Sequence, residues 1–362
     1  MTQRKGIIAG AAVPHAPQFH SLPSTEDHEQ VARVREAMQQ VGDGLRALKP
    51  DLVIVMTNDH GDEYAVGCVP SFVVHCGDRA QGSHKHRGWW NLRGDSGYEI
   101  VRGLMREGFD PAFTLDAQLA TPFTIPLEFM GHPREAPFLP IFINSYIPPQ
   151  PSAERCYRFG QALNDVIARL GLRAVFIASG GLSHYPGTPQ YSNPDLGTDR
   201  LIYQRLSEGN LRHLLSYSDE ALDHSGNVES RSIIVLAGAL GERKPDVTAW
   251  EPSWHHTYAV FGWTSDAIAE ATPPHYPATP PEHAQLARAL FELRTSDDAC
   301  RRYLADRAGF AQAHALTPEQ AKALVAMDEA GLRDGFRLHP LLTSGAVRRL
   351  AQVTSTSNAA AG

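Results

Sequence analysis

Cysteine is scarce in this sequence: Cys68, Cys76, Cys156 and Cys300 are the only four in 362 residues, and no two stand at CxxC spacing. A disulfide framework and a thiolate zinc site are therefore excluded as organising features. Runs of lysine and arginine are absent and the formal charge is −7. Nucleic acid and an anionic membrane, which attract basic surfaces, are not the expected partners. No apolar stretch approaches membrane-spanning length, and Met1 to Ile8 lack the apolar core of a signal peptide, so a cytoplasmic protein is the expectation. Internal repeats are also absent. What is abundant is histidine, 17 residues in a chain that is 42% hydrophobic. The length exceeds one ordinary core, which predicts a large domain plus a smaller one, and any metal is expected on imidazole and carboxylate.

Several histidines share one relation to their surroundings. Leu52-Val53-Ile54-Val55-Met56-Thr57 reads as a buried parallel strand that breaks into Asn58-Asp59-His60-Gly61. Residues 6–13 form a similar run ended by Pro14-His15-Ala16-Pro17, and residues 174–179 another ended by Gly180-Gly181-Leu182-Ser183-His184. Each places a histidine just past a strand's carboxyl end, where open α/β sheets bind ligands. One such histidine is more often structural than functional; three point to a shared site. Residues 25–48 carry Val31, Val34, Met38, Val41 and Leu45 at helical spacing. They complete a strand, helix, strand unit with His15 and His60 expected on neighbouring strands.

Further helices are predicted over 95–107, 153–170, 196–207 and 210–217, and strands over 65–75, 138–144 and 257–263. Residues 77–91 read as a polar loop, able to close over a pocket or merely to connect; 117–127, with two prolines, read as loop and turn. Asn227 reads as the cap of a helix reaching Leu240. Glu229 then lies in its first turn, where the helix dipole alone favours a carboxylate. The fold class is α/β. A central, mostly parallel sheet flanked by helices is expected over residues 1–265, a proline-rich linker over 266–283, a small all-helical domain over 284–353 and a flexible tail over 354–362. Helices within the small domain are predicted at 284–294, 296–305 and 317–332.

Two imidazoles and one carboxylate on one face of a metal form the site of non-haem Fe(II) oxygenases, and His15, His60 and Glu229 can supply it. The motifs are Pro14-His15-Ala16-Pro17, Thr57-Asn58-Asp59-His60, Ser179-Gly180-Gly181-Leu182-Ser183-His184, and Glu229 on a helix closed by Ala237-Gly238-Ala239-Leu240. In these the chain resembles the class III extradiol ring-cleavage dioxygenases of the protocatechuate 4,5-dioxygenase and gallate dioxygenase branch. The resemblance covers about residues 5–265 as a β-subunit-like part, and residues 284–352 resemble the small helical α subunit, fused in one chain. It implies Fe(II) on His15, His60 and Glu229, with His184 as acid and base. Asn58 hydrogen-bonds near the metal or caps its own turn. An aromatic diol and O2 are the implied substrates, and a homodimer the implied assembly.

The departures from the family bear on substrate. Thr121 stands where relatives carry a second-sphere histidine, and His255 or His256 could take over part of that role. Phe336-Arg337-Leu338-His339 replaces an aromatic segment, so Arg337 is either a partner for a substrate carboxylate or a surface arginine. Protocatechuate, gallate, a methylated gallate, an aminophenol and a hydroxypyridone all stay open as substrates. From other classes, a zinc-dependent hydrolase with His184 as base and a metal-free binding protein of the same fold are the alternatives.

Overall fold

The computed structural model describes residues 4–265 and 276–360, and the chain divides into two compact units, Met1–Ala269 and Glu270–Gly362. Most of the expected linker, residues 266–275, lies outside the described residues.

The strands of the first unit are β1 (Gly6–Val13), β2 (Leu52–Thr57), β3 (Phe72–His75), β4 (Arg79–Gly82), β5 (Gly88–Asn91), β6 (Ala112–Thr114), β7 (Leu139–Ile143), β8 (Arg173–Ser179), β9 (Val247–Pro252) and β10 (Thr257–Trp263). Eight of them form one sheet in the order β6-β3-β7-β2-β8-β1-β10-β9, and β4 and β5 pair as a separate hairpin. The central four, β7, β2, β8 and β1, are parallel. His15 and His60 therefore do not end neighbouring strands as expected. β8 lies between β1 and β2, and the helical crossover skips one position.

The helices of this unit are α1 (Gln18–Ser21), α2 (His28–Ala47), α3 (Gly94–Arg106), α4 (Thr121–Phe129), α5 (Ala153–Arg169), α6 (Leu196–Ser207), α7 (Asp219–His224) and α8 (Ser230–Leu240). They cover both faces of the sheet, which explains why β2 is apolar throughout rather than alternating. Ile54 and Met56 pack with Ile100 of α3, Leu163 of α5 and Leu236 of α8. Val55 packs on the other face with Val34 of α2 and Ile125 of α4. Each such side chain contributes about 1.5–3 kcal/mol on burial. α5 and α8 touch backbone to backbone through two glycines: a Cβ on Gly160 would lie 1.9 Å from the Val235 carbonyl oxygen, and one on Gly238 2.0 Å from that of Tyr157. This close crossing sets where the start of α8 falls.

Residues 117–127 are not the expected loop, because α4 occupies Thr121–Phe129. Pro122 sits in the first turn, where its missing N–H is no loss, and Pro126 is tolerated inside a buried helix. Residues 77–91 form the β4–β5 hairpin around a 3-10 turn, His84–His86, and the expected strand at 65–75 shortens to Phe72–His75. The edge strands β6 and β9 carry no periodic signal strong enough to be read from sequence.

The second unit holds α9 (Ala284–Thr295), α10 (Asp297–Ala305), α11 (Arg307–Gln312), α12 (Pro318–Ala326) and α13 (Pro340–Ala360) around its own core of Leu286, Leu290, Leu293, Tyr303, Phe310 and Leu350. Thr317 and Gln320 cap α12 reciprocally. That helix ends earlier than predicted, where Met327 turns left-handed at φ 50°. α13 runs on to Ala360, past residue 354 where the flexible tail was expected to begin. Among the described residues, no helix is long and apolar enough to cross a membrane.

Candidate metal centre

The carboxyl ends of β1, β8, β2 and β7 lie side by side, and each delivers a polar side chain to one place. After β1, the buried His15 places Nδ1 2.9 Å from the Ser179 hydroxyl at the end of β8. Ser179 Oγ donates to the Pro122 carbonyl at 2.7 Å. A hydroxyl has one proton, so Ser179 accepts from His15, whose Nδ1 carries the hydrogen; in a neutral ring Nε2 is then the atom with the lone pair. The Pro122 carbonyl needs this donor because Pro126, four residues on, has no N–H to give it.

After β2, His60 adopts φ 53°, a left-handed conformation that costs an ordinary side chain roughly 1–2 kcal/mol. Asn58 and Asp59 hold it: Asn58 Oδ1 accepts from the His60 N–H at 2.9 Å, and the Asp59 carboxylate accepts the backbone N–H groups of Gly61, Glu63 and Tyr64. Asn58 Nδ2 meanwhile donates to Glu229 Oε1 at 2.8 Å. Asn58 thus has both of the contacts open to it, capping its own turn and reaching the carboxylate.

Glu229 occupies the N-cap of α8 rather than its first turn, and its side chain makes no capping bond. Its carboxylate is buried, with Oε1 3.0 Å from His60 Nε2 and 3.4 Å from His15 Nε2, while Oε2 accepts the Gly181 N–H at 3.1 Å. Asn227, expected as the cap, donates instead to the buried Asp199. The same Asp199 accepts both the N–H and the hydroxyl of Ser183, so it ties the loop after β8 to the start of α8. Burial alone would raise the Glu229 carboxyl, but the imidazoles of His15 and His184 and the contacts from His15 and His60 hold it well below the usual range. His60 moves the other way: burial opposes its charge, yet Glu229 raises it.

His184 lies 3.7 Å from Glu229 through Nε2, while its Nδ1 donates to the Leu182 carbonyl at 3.2 Å. Burial lowers its pKa, so the ring is neutral with the Nε2 lone pair facing the site. His256 stacks on it with ring centres 4.3 Å apart. Gly181 permits this, since a Cβ there would stand 1.6 Å from His256 Nε2. Sequence reasoning missed Tyr146, whose hydroxyl is 3.0 Å from His184 Nε2 and 3.1 Å from Glu229 Oε1. Burial and then Glu229 push its pKa well above the ordinary value. The signal was available: Tyr146 follows the end of β7 just as the histidines follow theirs.

A cavity of about 410 Å³ opens over these groups, walled by Pro17, Gln18, Tyr146, Tyr191, His255 and His256. His255 and His256 both line it. His255 is held from behind by the buried Glu26, at 3.0 Å. Thr121 begins α4 and is not part of the cavity wall. Arg337 is an exposed residue of the second unit. A wider groove of about 630 Å³ between α11 and α12 has alanine at half of its lining positions, and volume alone does not mark the site.

The donor atoms of His15, His60 and Glu229 lie within 4.8 Å of one another. A cation bound between them would take the Nε2 lone pair of a neutral His15, whose Nδ1 proton goes to Ser179, together with the carboxylate oxygen 3.4 Å away. Two imidazoles and one buried carboxylate fit a divalent first-row metal, iron(II) or zinc.

An α/β sheet with such a constellation at its carboxyl edge defines a class of metal-dependent α/β proteins. Residues 9–265 match the family model described as the catalytic LigB subunit of aromatic ring-opening dioxygenase, and the chain belongs to that family. It is 29% identical over 202 residues to a Rhodococcus protein named 2,3-dihydroxyphenylpropionate/2,3-dihydroxicinnamic acid 1,2-dioxygenase, covering 54% of this chain and 62% of that one. A Pseudomonas putida protein named as the second enzyme of that kind is 27% identical over 244 residues, 66% of this chain and 73% of its own. A solved structure of an uncharacterised Escherichia coli K12 protein covers 70% of this chain and 98% of its own at 14% identity and TM-score 0.48.

Proposed function

We propose that the chain catalyses extradiol cleavage of a single-ring catechol, inserting both atoms of O2, with Fe(II) held by His15 Nε2, His60 Nε2 and the Glu229 carboxylate. The observation that carries this reading is the convergence of those three donors beside a neutral His184, with His15, His60 and His184 all lining one cavity. When bound, Fe(II) supplies Lewis acidity that favours the ionised diol and the redox capacity that dioxygen requires. His184 Nε2 takes a hydroxyl proton from the diol and returns one as the ring opens, a task suited to imidazole near neutral pH. Tyr146 has one proton for two acceptors. Donating it to Glu229 leaves His184 Nε2 available to the substrate. Asn58 and Gly181 hold the carboxylate from two sides, so its orientation does not depend on the substrate.

Carboxylated catechols are the favoured substrates. Protocatechuate and gallate, implied by the sequence resemblance, and the dihydroxyphenylpropionate of the relatives' names all join an adjacent diol to a carboxylate. A cavity near 410 Å³ suits one ring with a short arm. Within the same proposal the second unit corresponds to the small α subunit, Arg337 to a carboxylate partner, and the working assembly to a homodimer.

The test is metal removal by a chelator followed by anaerobic reconstitution. Fe(II) should restore oxygen uptake with catechols, 2-aminophenols serving as the comparison substrates. A zinc-loaded form that consumed no oxygen but hydrolysed an ester or amide would replace this reading with the hydrolase.

A further inference from the structure

A second constellation of donor atoms stands outside the catalytic cavity. His20 of α1, His86 of the 3-10 turn between β4 and β5, and Glu128 in the last turn of α4 each offer one ligand atom, and the three atoms lie within 4.8 Å of one another. His20 Nδ1 is 3.6 Å from Glu128 Oε1, His86 Nε2 contacts Glu128 Oε2, and the two imidazoles meet edge to face with centres 4.9 Å apart. His86 is buried, His20 is mostly buried and the Glu128 side chain is about half exposed, so an ion has a route in from solvent.

The orientation of His86 is fixed independently of Glu128. Thr124 Oγ1 donates its single proton to the Thr121 carbonyl at 3.3 Å and so accepts from His86 Nδ1, 2.5 Å away. In a neutral His86 the hydrogen is then on Nδ1, and the Nε2 lone pair faces the carboxylate. This is the arrangement of His15 over again: imidazole Nδ1–H to a hydroxyl, hydroxyl to a carbonyl in the first turn of α4, Thr121 in one case and Pro122 in the other. An outer hydrogen bond that fixes the tautomer is the usual support of a metal-bound histidine. Two imidazoles and a carboxylate, with room for water in a fourth position, match the preferences of zinc.

We propose that His20, His86 and Glu128 form a second divalent-cation site, of zinc class, which clips α1 to α4 and to the β4–β5 hairpin. The clip bears on the catalytic cavity because Pro17 and Gln18, next to His20 in the same short segment, form part of its wall. A bound cation would fix that wall without taking part in the reaction. The competing arrangement is an ion pair in which an imidazolium His86 donates to Glu128.

The experiment counts total metal per chain, iron plus zinc, on the full-length protein reconstituted anaerobically with iron(II), then given zinc and freed of excess by gel filtration. Counting the sum removes any dependence on which ion occupies the catalytic centre. Two metals per chain are expected for the wild type, falling to one in His86→Asn and in Glu128→Gln. The half-exposed position of Glu128 makes the second variant safe for folding. A count of one in the wild type, as the ion pair requires, or of two in either variant, overturns the proposal.

Discussion

Ser179 holds His15 in a single tautomer: its hydroxyl accepts the Nδ1 proton at 2.9 Å and passes its own proton to the Pro122 carbonyl at 2.7 Å. Replacement by alanine leaves a buried ring N–H and a buried carbonyl without partners. Ser179→Ala is expected to lower metal affinity about 10–100-fold and stability by roughly 1–3 kcal/mol. Metal titration and urea unfolding read the two effects separately. Unchanged affinity would mean that the tautomer is set elsewhere.

The Tyr146 hydroxyl lies 3.0 Å from His184 Nε2, and the proposed function gives the proton transfer to His184 alone. His184→Gln should reduce kcat by about 10²–10⁴, the usual worth of a general acid–base group, with iron content unchanged. Tyr146→Phe keeps the imidazole and should cost less. If the tyrosine variant loses as much as the histidine variant, with both still binding iron, the proton transfer requires the Tyr146 hydroxyl as much as His184.

Gly160 lets α8, which carries Glu229 at its start, lie directly on α5. Gly160→Ala would drive a methyl to 1.9 Å from the Val235 carbonyl oxygen. Overpacking of this kind costs about 1–3 kcal/mol, and the helix must shift to relieve it. The expected signature is a lower denaturation midpoint together with weakened metal binding. Loss of stability with normal metal affinity would separate the crossing from the placement of Glu229.

His75 ends β3 with Nε2 lacking a hydrogen-bond partner among the described residues, and its ring meets Phe123 edge on. Burial lowers its pKa from 6.5 to about 4. Between those values the unfolded chain binds a proton that the folded chain does not. Stability is therefore lost as pH falls through that window and levels off below it. The slope from one such group is at most about 1.4 kcal/mol per pH unit. His75→Leu should flatten the pH dependence of urea midpoints between pH 7 and 5. An unaltered slope would show that His75 is not buried as a neutral ring.

Legibility from sequence followed periodicity. The strands β1, β2, β8 and β10 were readable because burial on both faces demands unbroken apolar runs. The helices α2, α3, α5 and α6 were readable because burial on one face leaves a 3.6-residue stripe. α4 was not, since Pro122 and Pro126 look like breakers until one sees that the helix is buried and that Ser179 supplies the missing donor. β6, with two of its three residues exposed, and β9, half-buried except at the exposed Thr248, carry too little pattern to read. Tyr146 was legible in principle and missed, its strand having been noted without the residue that follows it.

The sequence by itself determined which residues could meet. Strand ends in a parallel sheet point the same way, so His15, His60 and His184 had to share an edge once their strands did. It also determined the family, through motifs that combine a turn with a side chain. Only the tertiary structure decided the order in which those strands stand, with β8 between β1 and β2, and hence that Ser179 could reach His15. Strand order is set by crossovers and face packing between segments more than a hundred residues apart, which no local pattern encodes. The tautomers of His15, His184 and His86 were decided at the same level. Each depends on a hydroxyl or carbonyl placed by the fold, and for His15 and His86 the hydroxyl in turn donates to a carbonyl of α4, a helix that reads as a loop.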